Sequence, residues 1–355
     1  MGNKLLKLGF FLGLCGAVAL HCLHNYSHMP TAQNPATAAL PLTADEQSVM
    51  ALPISGPLAD RDAEISGLDW YGDWLIFLPQ YPERLGNHVF ALSKGDILSF
   101  INGQTSQPLS PKPIPFQDNR IGTEIEGFEG YEAIAFRGNQ AFLTIEAEAN
   151  GSVKGYVVKG TIDSNLGELV IDSDNLAISP AQSSSPNKAD EALLLTEDRL
   201  ISIYEVSGAQ VNPAPQMHAF NFDLGSLPSV SFPTIEYRIT DATQLDGCDR
   251  FWAINYFYEG DRDLLPTRDP LVVRYGRGRT HRQQPTVERL VEFTYSAQGI
   301  ALTDTAPIQL ELIGAGRNWE GIARLDDQGF LIVTDKFPET LIGFVPRNLT
   351  AQHCS

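Results

Sequence analysis

Short apolar runs alternate with turn residues along most of the chain, and one such unit recurs. In its last copy Glu320 precedes the apolar run Gly321–Ala323, a turn at 326–329 leads to a second run, Phe330–Val333, and Asp335 follows. β-branched and aromatic residues between turn residues are typical of strands. The unit therefore predicts two short strands joined by a turn and flanked by polar residues.

Four earlier stretches repeat this unit. The two polar residues are 14 positions apart in four copies and 15 in the last. The pairs are Ser66 and Gln80, Glu132 and Glu146, Glu191 and Glu205, Asp241 and Asn255, and Glu320 and Asp335. Copies start 50 to 79 residues apart, and repeats of this size made of short strands predict an all-β fold, a β-propeller of five blades. A sixth blade within the longest interval is the alternative, since residues 300–313 add strand-like positions.

Further strand-like runs lie between the copies and predict the outer strands, residues 97–101 and 271–275 among them. The last copy ends after its third strand, at about Val345, while the run Val49–Ile54 precedes the first copy. We expect this N-terminal strand to complete the last blade, because the ring then closes without an open edge.

The N-terminal region differs from the rest of the chain. Lys4 and Lys7 precede an uncharged apolar run over 8–20, which is the length of a signal-peptide core and short for a membrane span. We expect residues 1–24 to be a signal peptide or an N-terminal anchor, residues 25–44 a flexible linker, and residues 45–355 the propeller. The propeller would then be exported, periplasmic or extracellular, and meet a membrane only through its N-terminal segment.

The chain is acidic, with 43 acidic residues against 25 basic ones and a net charge of −18. This charge disfavours nucleic acids and anionic membranes as partners and favours cations. The one basic cluster, residues 274–282, is interpreted either as a solvated loop or as an anion-steering rim. Cys248 and Cys354 either pair or remain free thiols. We expect a monomer.

The first polar residues of the copies predict a ring at one mouth of the channel, since the first strand of each blade lines the channel of a propeller. Carboxylates gathered there raise one another's pKa unless a positive charge lies between them. Oxygen ligands alone suit calcium, so the predicted ligands are Glu132, Glu191, Asp241 and Glu320. The alternative is that these side chains accept hydrogen bonds from turn amides and bind nothing. The sequence contains no Gly-x-Ser-x-Gly or His-Glu-x-x-His motif.

The phrase Glu320-Gly-Ile-Ala with its turn, apolar strand and Asp335 resembles the blade motif of the "esterase-like activity of phytase" (phytase-like) propellers. Tyr131–Phe136 and Thr240–Ala242 look like the same motif in other blades. SdiA-regulated and strictosidine-synthase-like propellers carry a similar phrase. The resemblance implies an exported, metal-binding hydrolase of phosphate or carboxylic esters, from which Ser66 departs because an acid is expected there.

Two functions follow from these expectations. In the first, calcium polarises a bound water and the substrate oxygens of a small-molecule ester or phosphoester. Glu146, Glu205 or Asp335 would then be the general base. In the second, the propeller is not catalytic, binds a protein or glycan, and uses any cation only to hold the ring together.

Overall fold

The computed structural model describes residues 43–314, 316–347 and 349. The expected signal peptide or anchor and nearly all of the expected linker lie outside these residues, as does Cys354. Within the described part no helix is both long and apolar enough to cross a membrane. Cys248 is disulfide-bonded.

The described chain forms five antiparallel blades. Blade 1 contains strands Ile65–Tyr71, Trp74–Pro79, His88–Ser93 and Lys112–Gln117. Blade 2 contains Phe128–Arg137, Gln140–Ala149, Ser152–Ile162 and Leu169–Pro180. Blade 3 contains Asp190–Leu195, Leu200–Tyr204, Gln216–Phe220 and Ser226–Ser231. Blade 4 contains Arg238–Ala242, Arg250–Phe257, Val287–Ser296, Gly299–Leu302, Ile308–Leu310 and Glu46–Gln47. Blade 5 contains Trp319–Leu325, Gly329–Thr334, Ile342–Pro346 and Met50–Ala51.

The five inner strands form a closed ring. Each contacts the inner strands of its two neighbours, and the inner strand of blade 5 contacts that of blade 1. The predicted closure is confirmed, because Met50 pairs with Phe344 and Ala51 with Gly343 in an antiparallel ladder. The strand-like residues after 299 extend blade 4 instead of forming a sixth blade.

Two predicted outer strands are helices. Residues 97–101 belong to the helix Lys94–Ile101, where Ser93 caps the N-terminus by accepting from the amide of Asp96. Residues 271–275 belong to the helix Pro270–Tyr275, capped by the carboxylate of Asp269. Both caps are N-terminal helix signals that outweigh the β-branched composition of the short runs behind them.

The remaining helical segments are short turns between strands. They are the α-helix Ile121–Glu124 and the 3₁₀ helices Pro57–Ala59, Arg61–Ala63, Pro82–Leu85 and Arg262–Leu264.

The hydrophobic core fills the spaces between neighbouring blades. Phe77 of blade 1 and Val333 of blade 5 belong to one buried cluster, and Phe142 of blade 2 and Leu200 of blade 3 to another. Burying a side chain of this size stabilises the fold by about 1.5–3 kcal/mol. Because the apolar positions pack blade against blade, the polar positions of the inner strands are left for the channel.

Candidate functional site

A cavity of about 750 Å³ opens at one mouth of the channel. Glu132, Glu191 and Glu320, three of the predicted ring residues, line it together with Ser66. Each of these four side chains lies where the inner strand breaks its pairing register with the second strand. Such a β-bulge re-aims a side chain, which explains why polar residues interrupt buried strands here.

Blade 4 deviates from the predicted register by one residue. The hydroxyl of Ser66 donates to the carbonyl of Tyr131 at 2.5 Å, and Thr240 makes the corresponding bond to Trp319 at 2.6 Å. Thr240 is therefore the ring residue of blade 4. Asp241 lies one position further on, does not line the cavity, and accepts bonds from the backbone amides of Ala242 and Ile322, both at 2.8 Å.

The second set of polar residues also differs by one residue in blade 4, in the opposite direction along the chain. Gln80, Glu146 and Asp335 line the cavity, and Glu205 is fully buried behind it. Asn255 faces away, donates to the backbone of Glu236 and Arg238 and accepts from Arg289. Tyr256 lines the cavity in its place.

Arg238 supplies the positive charge between the carboxylates. Its guanidinium donates to Glu205, to Glu320 Oε1 at 3.1 Å and to Asn318 Oδ1 at 3.3 Å. The ammonium of Lys188 lies 3.5 Å from the second oxygen of Glu205. Burial alone would lower the pKa of Arg238, but Glu205, Glu320 and Glu191 raise it well above its usual value. We call these residues the arginine side of the cavity.

Sequence reasoning missed Arg238 and Lys188. Arg238 lies two residues before Thr240, at the position of Gly130 in blade 2 and Asn318 in blade 5, and Lys188 lies three residues before Glu191, so no periodicity marks them. The only signal was indirect: four buried carboxylates in register required a positive charge between them.

The opposite side, which we call the amide side, has amide donors in place of cations. Gln80 Nε2 donates to Glu132 Oε1 at 2.9 Å. The amide of Asn187, oriented with its nitrogen toward the carboxylates, donates to Glu129 at 2.8 Å and to Glu146 at 3.0 Å. A neutral amide compensates a carboxylate charge less than a cation does.

Burial is the largest influence on the pKa values of the carboxyl groups that line the cavity. Burial, reinforced by the charge of Glu205, raises the pKa of Glu146 to about 8. Burial and then Glu146 raise the pKa of Glu132 well above its usual value, and burial followed by Glu205 does the same for Glu191. At neutral pH the amide side therefore holds protons.

Asn318 joins Glu320 to Asp335. Its amide nitrogen lies 2.5 Å from Glu320 Oε1 and 2.9 Å from Asp335 Oδ2. Burial raises the pKa of Glu320 to about 8, although Arg238 opposes this effect. The other oxygen of Asp335 accepts from the amide of Phe337 at 2.7 Å, so its carboxyl group is fixed from two directions.

Aromatic side chains surround the opening. Tyr256 and Tyr258 stack with their centroids 6.3 Å apart, and Arg84 lies 3.7 Å above the ring of Tyr81. Tyr258 is 46% exposed and Phe337 48%. Exposed rings at a polar cavity offer flat apolar faces on which a ligand can stack.

The predicted calcium ligands do not form one donor set. Asp241 uses its oxygens on backbone amides, and Glu320 already accepts from Arg238. No group of three or more His, Cys, Asp or Glu side chains in the described residues is arranged to hold a metal ion. The site as described does not fit the predicted four-carboxylate centre, and calcium binding stays a prediction.

Two arginines of the basic cluster in blade 4 form ion pairs with neighbouring carboxylates. Arg274 pairs with Asp304 at 2.9 Å, and Arg279 with Glu311 at 2.8 Å. Neither arginine lines the cavity. These two arginines are exposed, as expected of a solvated loop, whereas His281 of the same cluster is buried and bonded to Glu46.

No family model matches the chain, and no curated protein does. Among solved structures, the chain is similar to a putative glycoside hydrolase from Parabacteroides distasonis, with a TM-score of 0.46 and 8% identity over 90% of this chain and 97% of that one. It is also similar to the GH43_1 enzyme from Xanthomonas citri, with a TM-score of 0.45 and 12% identity over 83% and 91%. A third similar structure is the catalytic domain of the Coprinopsis cinerea GH62 α-L-arabinofuranosidase. Its TM-score is 0.45, and it is 10% identical over 87% of this chain and 99% of that one. The comparisons do not show the phytase-like family, and the propeller assignment here rests on the pairing of the strands.

Proposed function

We propose that the chain is a hydrolase that cleaves a glycosidic bond in a neutral, hydroxyl-rich substrate. The observation that carries this proposal is that carboxyl groups of one cavity have different hydrogen-bond partners. Burial raises the pKa of both Glu146 and Glu320 to about 8, but Glu146 accepts from a neutral amide, while Glu320 accepts from the charged guanidinium of Arg238. The guanidinium favours the carboxylate form of Glu320, so the two groups are suited to divide the acid and base roles.

Glycoside hydrolysis needs one carboxylic acid and one carboxylate. Glu146, protonated at neutral pH, would donate its proton to the leaving oxygen. Glu320, whose charge Arg238 compensates, would stabilise the positive charge that develops on the sugar ring or activate a water. Asp335, held to Glu320 through Asn318, would position that carboxylate. The role of Glu146 thus changes from the expected general base to a general acid.

The charge of the cavity supports a neutral substrate. Nine carboxyl side chains and four cationic ones are among the described residues that line it. Because several of these carboxyl groups keep their protons, the cavity lacks the surplus of positive charge that a phosphorylated substrate requires. A phosphate ester, expected from the phytase-like resemblance, therefore suits the cavity less well than a sugar, which can stack on Tyr258 and Phe337 and bond to the carboxyl and amide groups.

The lining also lacks support for a serine-based ester mechanism. Among the described residues that line the cavity there is neither a histidine nor a cysteine. The hydroxyl of Ser66 donates to backbone carbonyls, those of Tyr131 and Leu78, and not to a side chain of the described residues. Carboxyl groups are the reactive groups that remain.

The test is a panel of 4-nitrophenyl glycosides, with 4-nitrophenyl acetate and phosphate as ester controls, assayed with the purified full chain. We expect turnover of at least one glycoside, with a rate that falls as the pH rises through about 8 because Glu146 loses its proton. Glu146→Gln should lower kcat/KM by about 10²- to 10⁴-fold. The control Glu168→Gln, on the exposed surface of the same blade, should leave it unchanged.

Two outcomes would overturn the proposal. Turnover of the phosphate with no glycoside cleaved would favour the phytase-like resemblance, and full activity in Glu146→Gln would remove the proton donor. If the chain binds sugars but cleaves none, the non-catalytic propeller is the better description.

A further inference from the structure

A second cavity, of about 310 Å³, lies between blades 1 and 2 and beside the main one. Its aromatic wall consists of Phe116, Phe128 and Tyr131, and its polar wall includes Asp118 and Glu83. Phe128 also contacts Tyr81, which lines the main cavity, with a centroid distance of 6.4 Å. This volume is at the lower end of the range for small-molecule sites.

The hydroxyl of Tyr131 has no hydrogen-bond partner in the described residues, although the residue is only 1% exposed. A buried hydroxyl without a partner costs about 1–3 kcal/mol. The ring is held edge-to-face between Phe116 and Phe128, at centroid distances of 5.2 and 5.3 Å, so the hydroxyl has little freedom to turn toward another partner. A bound molecule that forms a hydrogen bond with this hydroxyl would reduce this cost.

The charge around the hydroxyl indicates what the molecule should carry. Burial, Asp118 and Glu83 all raise the pKa of the Tyr131 phenol, which places its oxygen in a negative potential. Arg120, the cation of the lining, is 79% exposed at its side chain and pairs with Glu124 on the surface at 3.4 Å. Aromatic faces next to carboxylates attract organic cations.

We propose that this cavity binds a small primary alkylammonium ion. Its N–H group donates to the Tyr131 oxygen and to the carboxylate of Asp118, and its alkyl part packs against Phe116 and Phe128. The oxygens of Asp118 accept from the amides of Arg120 at 3.0 Å and Gly122 at 3.3 Å, which fixes the carboxylate at the cavity wall. The site is separate from the proposed glycosidase chemistry and does not depend on it.

The test compares three probes of equal chain length: n-butylammonium, n-butanol and n-butyrate. Binding to the full chain is measured by saturation-transfer NMR and by the shift in melting temperature. We expect saturable binding of butylammonium, at least about tenfold weaker binding of butanol because it lacks the charge, and no binding of butyrate.

Three variants assign the binding to this cavity. Tyr131→Phe keeps the ring and removes the acceptor, so we expect at least about tenfold weaker butylammonium binding and an unchanged or higher melting temperature without ligand. Asp118→Asn should weaken binding by removing the charge. Tyr275→Phe, whose exposed hydroxyl donates to Asp304, is the matched control and should bind as the native chain does.

Binding that survives in both Tyr131→Phe and Asp118→Asn would overturn the proposal. So would equal binding of butanol and butylammonium, or no binding of butylammonium. Binding lost in Glu132→Gln but kept in Tyr131→Phe would place the cation in the main acidic cavity and also overturn it. If Tyr131→Phe does not fold, the effect of Asp118→Asn decides.

Discussion

On the arginine side of the channel mouth Glu205 and Glu320 share the guanidinium of Arg238. On the amide side the donors that the described residues offer to Glu132 and Glu146 are Gln80 and Asn187. The carboxyl groups come from the same repeat and are all buried. Their hydrogen-bond partners nevertheless differ: a guanidinium donates on one side and neutral amides donate on the other, while burial raises the pKa of both Glu146 and Glu320 to about 8.

The difference shows that carboxyl groups at equivalent positions of the repeat have different electrostatic surroundings. A buried carboxyl group must be paired or neutral, because an unpaired buried charge is too costly. Blade 4 places a guanidinium beside Glu320, and this charge opposes the rise that burial causes in the pKa of that carboxyl group. Blade 2 has Gly130 at the position of Arg238, and its carboxyl groups keep their protons.

The largest effect is expected when the arginine side loses its cation. Arg238→Met leaves Glu205 and Glu320 without their shared donor, and breaking a buried pair in this way costs about 3–5 kcal/mol. The free energy of unfolding from urea titration at neutral pH measures it. The surface pair of Arg199 and Asp198 offers the matched control, since Arg199→Met should cost no more than about 1 kcal/mol.

A second substitution makes this prediction more specific. Adding Glu205→Gln to Arg238→Met should recover part of the lost stability, because one uncompensated charge disappears. If Arg238→Met costs as little as Arg199→Met, the carboxylates of the arginine side are already neutral and the contrast between the two sides does not hold.

The next effect is the pH dependence of stability. Burial raises the pKa of Glu146 from 4.5 to about 8 and that of Asp69, further along the channel, from 3.8 to about 7. The folded chain therefore holds protons that the unfolded chain releases. This stability is fully present below about pH 4 and is lost as the pH rises toward 8, by at most about 1.4 kcal/mol per unit and group.

Urea unfolding between pH 4 and 8 measures this slope, and Asp69→Asn should reduce it. The contribution of Glu46 to stability has the opposite pH dependence and changes at lower pH. Burial would raise its pKa, but hydrogen bonds from His281 and Thr280 lower it to about 2, so its contribution is lost as the pH falls below about 4. Stability that rises steadily from pH 4 to 8 would contradict protonated carboxyl groups in the channel.

The sequence allowed the propeller, its five blades and its closure by Met50–Ala51 to be predicted, because strand periodicity and turn residues are local. The register in blade 4 was wrong for a local reason too. The turn between the paired positions Ala242 and Ala253 is two residues longer than the one between Ile134 and Leu143 of blade 2, so the equal spacing of Asp241 and Asn255 was coincidental. Arg238 could not be predicted, since its role depends on carboxylates from other blades.

A smaller effect distinguishes the two sides directly. Glu132→Gln replaces a protonated acid by an amide of the same size, so we expect the free energy of unfolding at pH 7 to change by less than about 1 kcal/mol. Glu320→Gln removes a bond to the charged Arg238 and should cost about 1.5–3 kcal/mol. Equal costs for the two variants would mean that Arg238 makes no difference to its neighbours.

The smallest effect is expected from calcium, and it tests the amide side most severely. Carboxyl groups that keep their protons bind a cation only after releasing them, so calcium competes with protons there. We expect the melting temperature at pH 7 to be the same in calcium and in chelator, with magnesium as a control. A saturable rise in calcium that Glu132→Gln abolishes would make the amide side a metal site, because only a bound cation would then explain carboxyl groups gathered without an arginine. Calcium would in that case supply the positive charge beside Glu132 and Glu146, as Arg238 does beside Glu205 and Glu320.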